Sequence, residues 1–133
     1  MIALDTEDTG VDFYHSSRPF YVTICYESGE QDSIQWEVNP LTRQPLVIKS
    51  DVDYLNDLLK KTDRIIGQNI AFDVRALATV GVGPWPWEKT FDTLYSAHLL
   101  ASNQPKDLTS LALVWLGVDI EPLEKKLEEC VKA

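Results

Sequence analysis

Cysteine, histidine and methionine are scarce in this 133-residue chain, with two Cys, two His and one Met. Cys25 and Cys130 are too few for a disulfide framework and show no CxxC spacing, so both are expected as free, buried thiols. Positive charge is also short: 12 Lys and Arg face 21 Asp and Glu, a formal net charge of −9. That balance excludes a basic stripe coating phosphates. It leaves open a protein that meets phosphate through divalent cations, where acids are the binding equipment. No apolar run approaches the roughly 20 residues that span a bilayer. The start "MIALDTEDTG" lacks the basic-then-apolar pattern of a secretory signal, so a cytoplasmic or otherwise intracellular protein, of phage or virion origin included, is expected, with no membrane contact.

What the chain has is a length suited to one domain with a real core. Residues 2–7 alternate as a strand, with Ile2, Leu4 and Thr6 on one face and Ala3, Asp5 and Glu7 on the other. "FYVTICY" and "DSIQWEV" read as strands joined through the turn "ESGE". Ser50 reads as the N-cap of a helix over 51–61 that carries Tyr54, Leu55, Leu58 and Leu59. "RIIGQN" is a short buried strand, 70–80 a helix, "GVGPWPW" a loop and "KTFDT" a strand. Helices follow over 93–101, 108–117 and 122–131. Early strands followed by alternating helices and strands imply an α/β fold, a mixed sheet with helices on its faces.

The chemistry concentrates in two stretches. In "LDTEDTG", Asp5 and Glu7 leave one strand face about 6–7 Å apart. Their repulsion is rewarded only if divalent cations sit between them; otherwise the stretch is the polar start of a loop. In "GQNIAFDVRAL", Asn69 ends a strand and Asp73 lies one turn into a helix. Asn69 can cap that helix and Asp73 can answer its dipole, yet the apolar neighbours aim Asp73 at the same site.

"LDTEDTG", "GQNIAFDVRAL", "TFDTLYSAHLL" and "DLTSLALVWLG", in this order, resemble the proofreading 3′–5′ exonucleases of the DEDD superfamily. The likeness is greatest to the exonuclease domain of family A DNA polymerases and covers nearly the whole chain. It implies an RNase H-like fold with a mixed five-stranded sheet flanked by helices, and two divalent cations, Mg²⁺ or Mn²⁺. It implies that Asp5, Glu7 and Asp73 are catalytic metal ligands. Thr6, Thr9, Gly10, Asn69 and Phe72 then lie against substrate, a single-stranded DNA 3′ end. One metal activates water and both stabilise charge on the phosphate.

The resemblance also demands a fourth carboxylate, as Tyr-x-x-x-Asp or His-x-x-x-x-Asp, and neither pattern occurs. Tyr95 leads to Leu99, and His98 to Asn103. The expectation is a single exonuclease-like domain truncated at its C-terminal end, with an apolar patch left open. A polymerase domain or second chain would then supply the missing motif. Two alternatives stand beside it: a catalytically incomplete module that serves structure or partner binding, and an RNase D-like RNA 3′ exonuclease. Asp92 is assigned as N-cap of the helix from Thr93, His98 as a structural histidine, and Trp85 and Trp87 as a lid on the core. Arg75 and Lys89 are the basic residues expected nearest the cleft.

Overall fold

The computed structural model describes residues 1–132. Two compact units divide it, one running from Met1 to Thr93 and the other beginning at Leu94. The first is built on a five-stranded sheet in the order β3-β2-β1-β4-β5. Its strands are β1 (Ile2–Asp8), β2 (Pro19–Tyr26), β3 (Gln31–Gln35), β4 (Ile65–Gly67) and β5 (Thr90–Asp92). β1 pairs antiparallel with β2 and parallel with β4, which makes the sheet mixed and places β1 at its centre.

The alternation read from residues 2–7 holds: Ile2, Leu4 and Thr6 are buried, and Ala3, Asp5 and Glu7 are exposed. Val22, Ile24, Ile34 and Trp36 extend the buried layer across β2 and β3. Against it pack Val52, Leu55 and Leu59 of helix α1 (Lys49–Lys61) and Ile70 and Leu77 of helix α2 (Ile70–Ala78). Each fully buried Leu or Ile removes enough apolar surface from water to contribute about 1.5–3 kcal/mol before chain entropy is counted. Trp36 also satisfies its indole N–H, which donates to Asp51 Oδ2 at 2.9 Å and anchors the start of α1 to the sheet. The β2–β3 turn closes with Gly29 at φ 88°, a conformation that favours glycine.

Ser50 is not the cap of α1. The helix begins at Lys49, its N-cap position is Ile48, and no side chain closes it. Lys49 and Asp53 pair one turn apart on its exposed side instead. β3 stops at Gln35, short of the expected Val38, although Trp36 still donates its backbone N–H to Phe20.

In the second unit, α3 (Thr93–Leu100, whose first residue belongs to the sheet unit) is followed by α4 (Leu108–Leu111). Asp107 caps α4 by accepting from Ser110 N. The expected helix over 108–117 is a single α turn that widens into a π-helical turn at Ala112–Leu116 and ends at Gly117, φ 67°. The last helix, α5, is Glu121–Lys132. Leu99, Trp115, Leu116, Leu123 and Leu127 are all exposed in this unit. So is Cys130, against the expectation of a buried thiol, whereas Cys25 is half-buried. His98 is exposed too, which removes its role as a buried structural histidine. No helix among the described residues is long and apolar enough to cross a membrane.

Candidate active site

The acids gather where β1 meets α2. Alternation turns Thr6 inward, and α2 lies beneath it on the buried side of the sheet. Asp73, one turn into α2 and 3% exposed, therefore rises to meet Thr6. Its Oδ1 accepts the Thr6 backbone N–H at 2.9 Å and the Thr6 hydroxyl at 2.7 Å. The same hydroxyl lies 3.2 Å from Asp8 Oδ2. One hydroxyl proton serves one acceptor at a time, and the shorter contact favours Asp73.

Asp5 and Glu7 point to the opposite face of β1 and are exposed. A register shift between Glu7 and Asp8 ends the regular pairing with β2, so Asp8 leaves the strand half-buried beside Thr6. Its second oxygen, Oδ1, is buried and has no hydrogen-bond partner.

Electrostatics follow from this crowding. Burial pushes Asp73 up to about 6; the Thr6 hydrogen bonds oppose that shift and the nearby Asp5 charge adds to it. Burial likewise raises Asp8 to about 6, with Glu7 and Asp5 adding to it against the Thr6 hydroxyl. Asp5, though exposed on its face of the strand, is raised as well, chiefly by partial desolvation against the surrounding chain, with the Thr6 backbone N–H opposing. No Lys, Arg or His among the described residues forms an ion pair with any of the four.

Acids that offer only hard oxygen donors, one of them with an orphaned buried oxygen, have the chemistry of a Mg²⁺ or Mn²⁺ site. As the side chains stand, no three His, Cys, Asp or Glu among the described residues form a group that could hold a metal ion. Asp73 is committed to Thr6, on the other side of the strand from Asp5 and Glu7.

The residues expected against substrate divide. Thr6 is 8% exposed and spends its hydroxyl on Asp73, so it serves the interior rather than a nucleotide surface. Thr9 accepts the Arg18 N–H on its hydroxyl and donates its own N–H to the Arg18 carbonyl. Gly10 lies so close to Ser17 that an added Cβ would stand 2.7 Å from its hydroxyl. These two bind the strand end to the loop before β2. Phe72 is half-buried and meets Phe13 edge-to-face, ring centroids 4.9 Å apart. Asn69 occupies the N-cap position of α2 in the left-handed conformation, φ 54°, and its exposed side chain caps nothing.

The cap comes from elsewhere. Asp92, at the end of β5, accepts the backbone N–H of Asn69 on Oδ1 at 3.0 Å and of Ile70 on Oδ2 at 2.9 Å. It thus closes the start of α2, which lies 22 residues earlier, a role its place before the helix from Thr93 does not suggest. The signal that finds it is topological, because parallel pairing sets Asp92 beside Gly67. Lys89 is likewise engaged, donating to the Lys60 and Thr62 carbonyls at the end of α1, while Arg75 is exposed. Trp85 packs on the core as expected, its indole on Thr90, whereas Trp87 is 54% exposed.

Residues 1–131 match the 3′–5′ exonuclease family found in family A DNA polymerases. DNA polymerase I of Borreliella burgdorferi is 29% identical over 117 residues, covering 86% of this chain and 12% of that protein. Among solved structures, the Brucella melitensis nuclease NrnC bound to pGG is 25% identical with TM-score 0.68, over 90% of this chain and 54% of that one. A nuclease in its apo form is 22% identical with TM-score 0.69, over 93% and 55%. The chain thus spans about half the length of these structures and a small part of the polymerase. Its mixed five-stranded sheet flanked by helices is the RNase H-like fold of those nucleases. With its acids on β1 and α2, the chain belongs to the 3′–5′ exonuclease family of the DEDD superfamily, in its family A DNA polymerase type.

Proposed function

We propose that this chain is a 3′–5′ exonuclease domain that removes nucleotides from a DNA 3′ end, with Asp5, Glu7 and Asp73 holding Mg²⁺ or Mn²⁺. The observation that carries the reading is the family match over residues 1–131, together with Asp5 and Glu7 on the open face of β1 and Asp73 tied to the same strand through Thr6. Such a site is costly by itself and favourable once a divalent cation neutralises it. When bound, the metal supplies an activated water and stabilises charge on the scissile phosphate. Thr6 holds Asp73 against β1, Asp5 and Glu7 present carboxylates on the open face, and Asn69 offers an exposed amide to the substrate. The likeness to a DNA polymerase I supports a proofreading setting, with a polymerase domain as partner.

A second reading keeps the chemistry and changes the substrate to RNA. It is supported by the likeness to NrnC, which was solved bound to pGG. The deciding contact is to the 2′-OH, which distinguishes RNA from DNA.

The test is digestion of 5′-labelled single-stranded DNA and RNA with Mn²⁺, wild type beside Asp5→Ala. A ladder of shortened products that vanishes in the variant upholds the reading, and the better-cut polymer names the substrate. A ladder that survives Asp5→Ala removes Asp5 from the chemistry. No ladder from either protein makes the chain a catalytically incomplete module.

A further inference from the structure

We propose that Asp92 is a positioning residue for this site: its carboxylate clamps the β4–α2 turn and so sets the placement of Asn69 and Asp73. The proposal rests on the nuclease reading above for the roles of those two residues.

Three observations converge on the turn. Gly67 ends β4 with Ile70 so near that a Cβ on Gly67 would meet its Cβ, Cγ1 and Cδ1 at 2.7–2.9 Å. The chain must therefore double back at once. Asn69 makes that reversal in the left-handed region, φ 54°, ψ 45°, which costs most residues more than it costs Asn. Neither feature is self-sufficient, because the first N–H groups of α2 have no partner inside the helix. Asn69 occupies the cap position and leaves the task undone.

Asp92 performs it from another strand. Parallel pairing of β4 and β5 puts Asp92 opposite Gly67, and its two oxygens take the next two N–H groups, one each. A carboxylate that accepts both Asn69 and Ile70 fixes two consecutive peptide planes. It thereby sets where the Asn69 side chain emerges and in which register α2 begins. Asp73 follows Ile70 by three residues, and its arrival at Thr6 depends on that register. The Phe72 N–H, donated to the Asn69 carbonyl at 3.0 Å, carries the constraint into the first turn.

Supporting groups behind a metal or substrate ligand typically cost about 10–100-fold in affinity or activity when removed. The experiment compares the full chain with Asp92→Ala and Asp92→Asn, checking each fold by thermal unfolding. Three readouts are taken: amide hydrogen exchange, Mn²⁺ affinity by calorimetry, and kcat and KM on a 5′-labelled single strand. In Asp92→Ala the Asn69 and Ile70 amides should exchange at least about tenfold faster while those of Val22 and Ile24 are unchanged. Mn²⁺ affinity and kcat should each fall about tenfold or more with KM within about twofold. Asp92→Asn keeps one acceptor oxygen and should recover part of each loss. If Asp92→Ala does not fold, the same ordering is read between Asp92→Asn and wild type.

A folded Asp92→Ala with wild-type Mn²⁺ affinity and kcat overturns the proposal and leaves Asp92 a helix cap only. Should the wild type bind Mn²⁺ and cleave nothing, the nuclease reading fails alone. Weaker Mn²⁺ affinity in Asp92→Ala then still upholds the clamp. A wild type that binds no Mn²⁺ overturns both.

Discussion

Thr6 and Asp73, 67 residues apart in the chain, are joined twice: the backbone N–H and the hydroxyl of Thr6 converge on one oxygen, Asp73 Oδ1. A strand residue and a helix residue share both bonds inside the buried layer, so the contact is both a structural tie and the support of a candidate ligand.

Thr6→Val keeps the shape and removes the hydroxyl, leaving a buried carboxylate with one donor fewer. The expected cost is about 1–3 kcal/mol in urea unfolding at pH 7, and Thr6→Ser should recover most of it. If Thr6→Val matches wild type in both stability and Mn²⁺ affinity, the hydroxyl bond contributes nothing.

Stability should rise on mild acidification in the absence of metal. The folded pKa of Asp73 is raised to about 6 from an ordinary value of 3.8, so the fold binds a proton that the unfolded chain has released. That contribution is complete below about pH 4 and is lost as pH climbs through about 6; Asp8 acts in the same direction. Asp12, Asp63 and Asp107 are lowered and titrate beneath this window, where they oppose it. Between pH 7 and 5, Asp73 alone should add on the order of 1 kcal/mol. Thermal unfolding in chelator should therefore show a higher Tm at pH 5, and Asp73→Asn should flatten the difference.

Divalent cation should reverse that profile. Bound to the ionised acids, Mg²⁺ or Mn²⁺ stabilises the folded chain most at pH 7, where nothing competes for the carboxylates. The Tm increase on adding Mn²⁺ should shrink between pH 7 and 5 and disappear in Glu7→Gln. An equal increase in Glu7→Gln would remove Glu7 from the ligand set.

Gly67→Ala tests the tight turn before Asn69. Its Cβ would overlap the Ile70 Cβ as well as the tip of that side chain, so a change of rotamer cannot relieve the clash. A loss of about 1–3 kcal/mol is expected, the usual range for overpacking, together with weakened Mn²⁺ binding. The double variant Gly67→Ala, Ile70→Val should not restore it, because the Cβ overlap persists.

Local signals in the sequence located most of the fold. Alternation assigned the inward face of β1, and helical spacing found α1, α2 and α5 to within a few residues. Asp5, Glu7 and Asp73 were singled out by the family resemblance and by their apolar neighbours, although a polar loop start and the helix dipole account for such acids too. What local reading missed depended on contacts between distant segments. Asp92 was read only against its nearest helix, and parallel strand pairing also sets its carboxylate at the start of α2. Thr6 was placed against substrate by resemblance although its own alternation already turned it inward. His98 was expected to be structural because leucines share its helix, and Cys130 to be a buried thiol because two cysteines make no disulfide framework, but Leu99, Leu100 and Val131 beside them are themselves exposed.

The central position of β1 has a consequence for synthesis on the ribosome. β1 can pair with β2 once the loop over residues 9–18 has emerged, but its other edge waits for β4, more than 60 residues later. The Thr6–Asp73 tie waits longer still, until α2 has emerged, and the Asp92 clamp follows when β5 is added. The acidic strand is therefore exposed beside β2 before α2 and β5 arrive, and the contacts of Asp73 and Asp92 are the late ones.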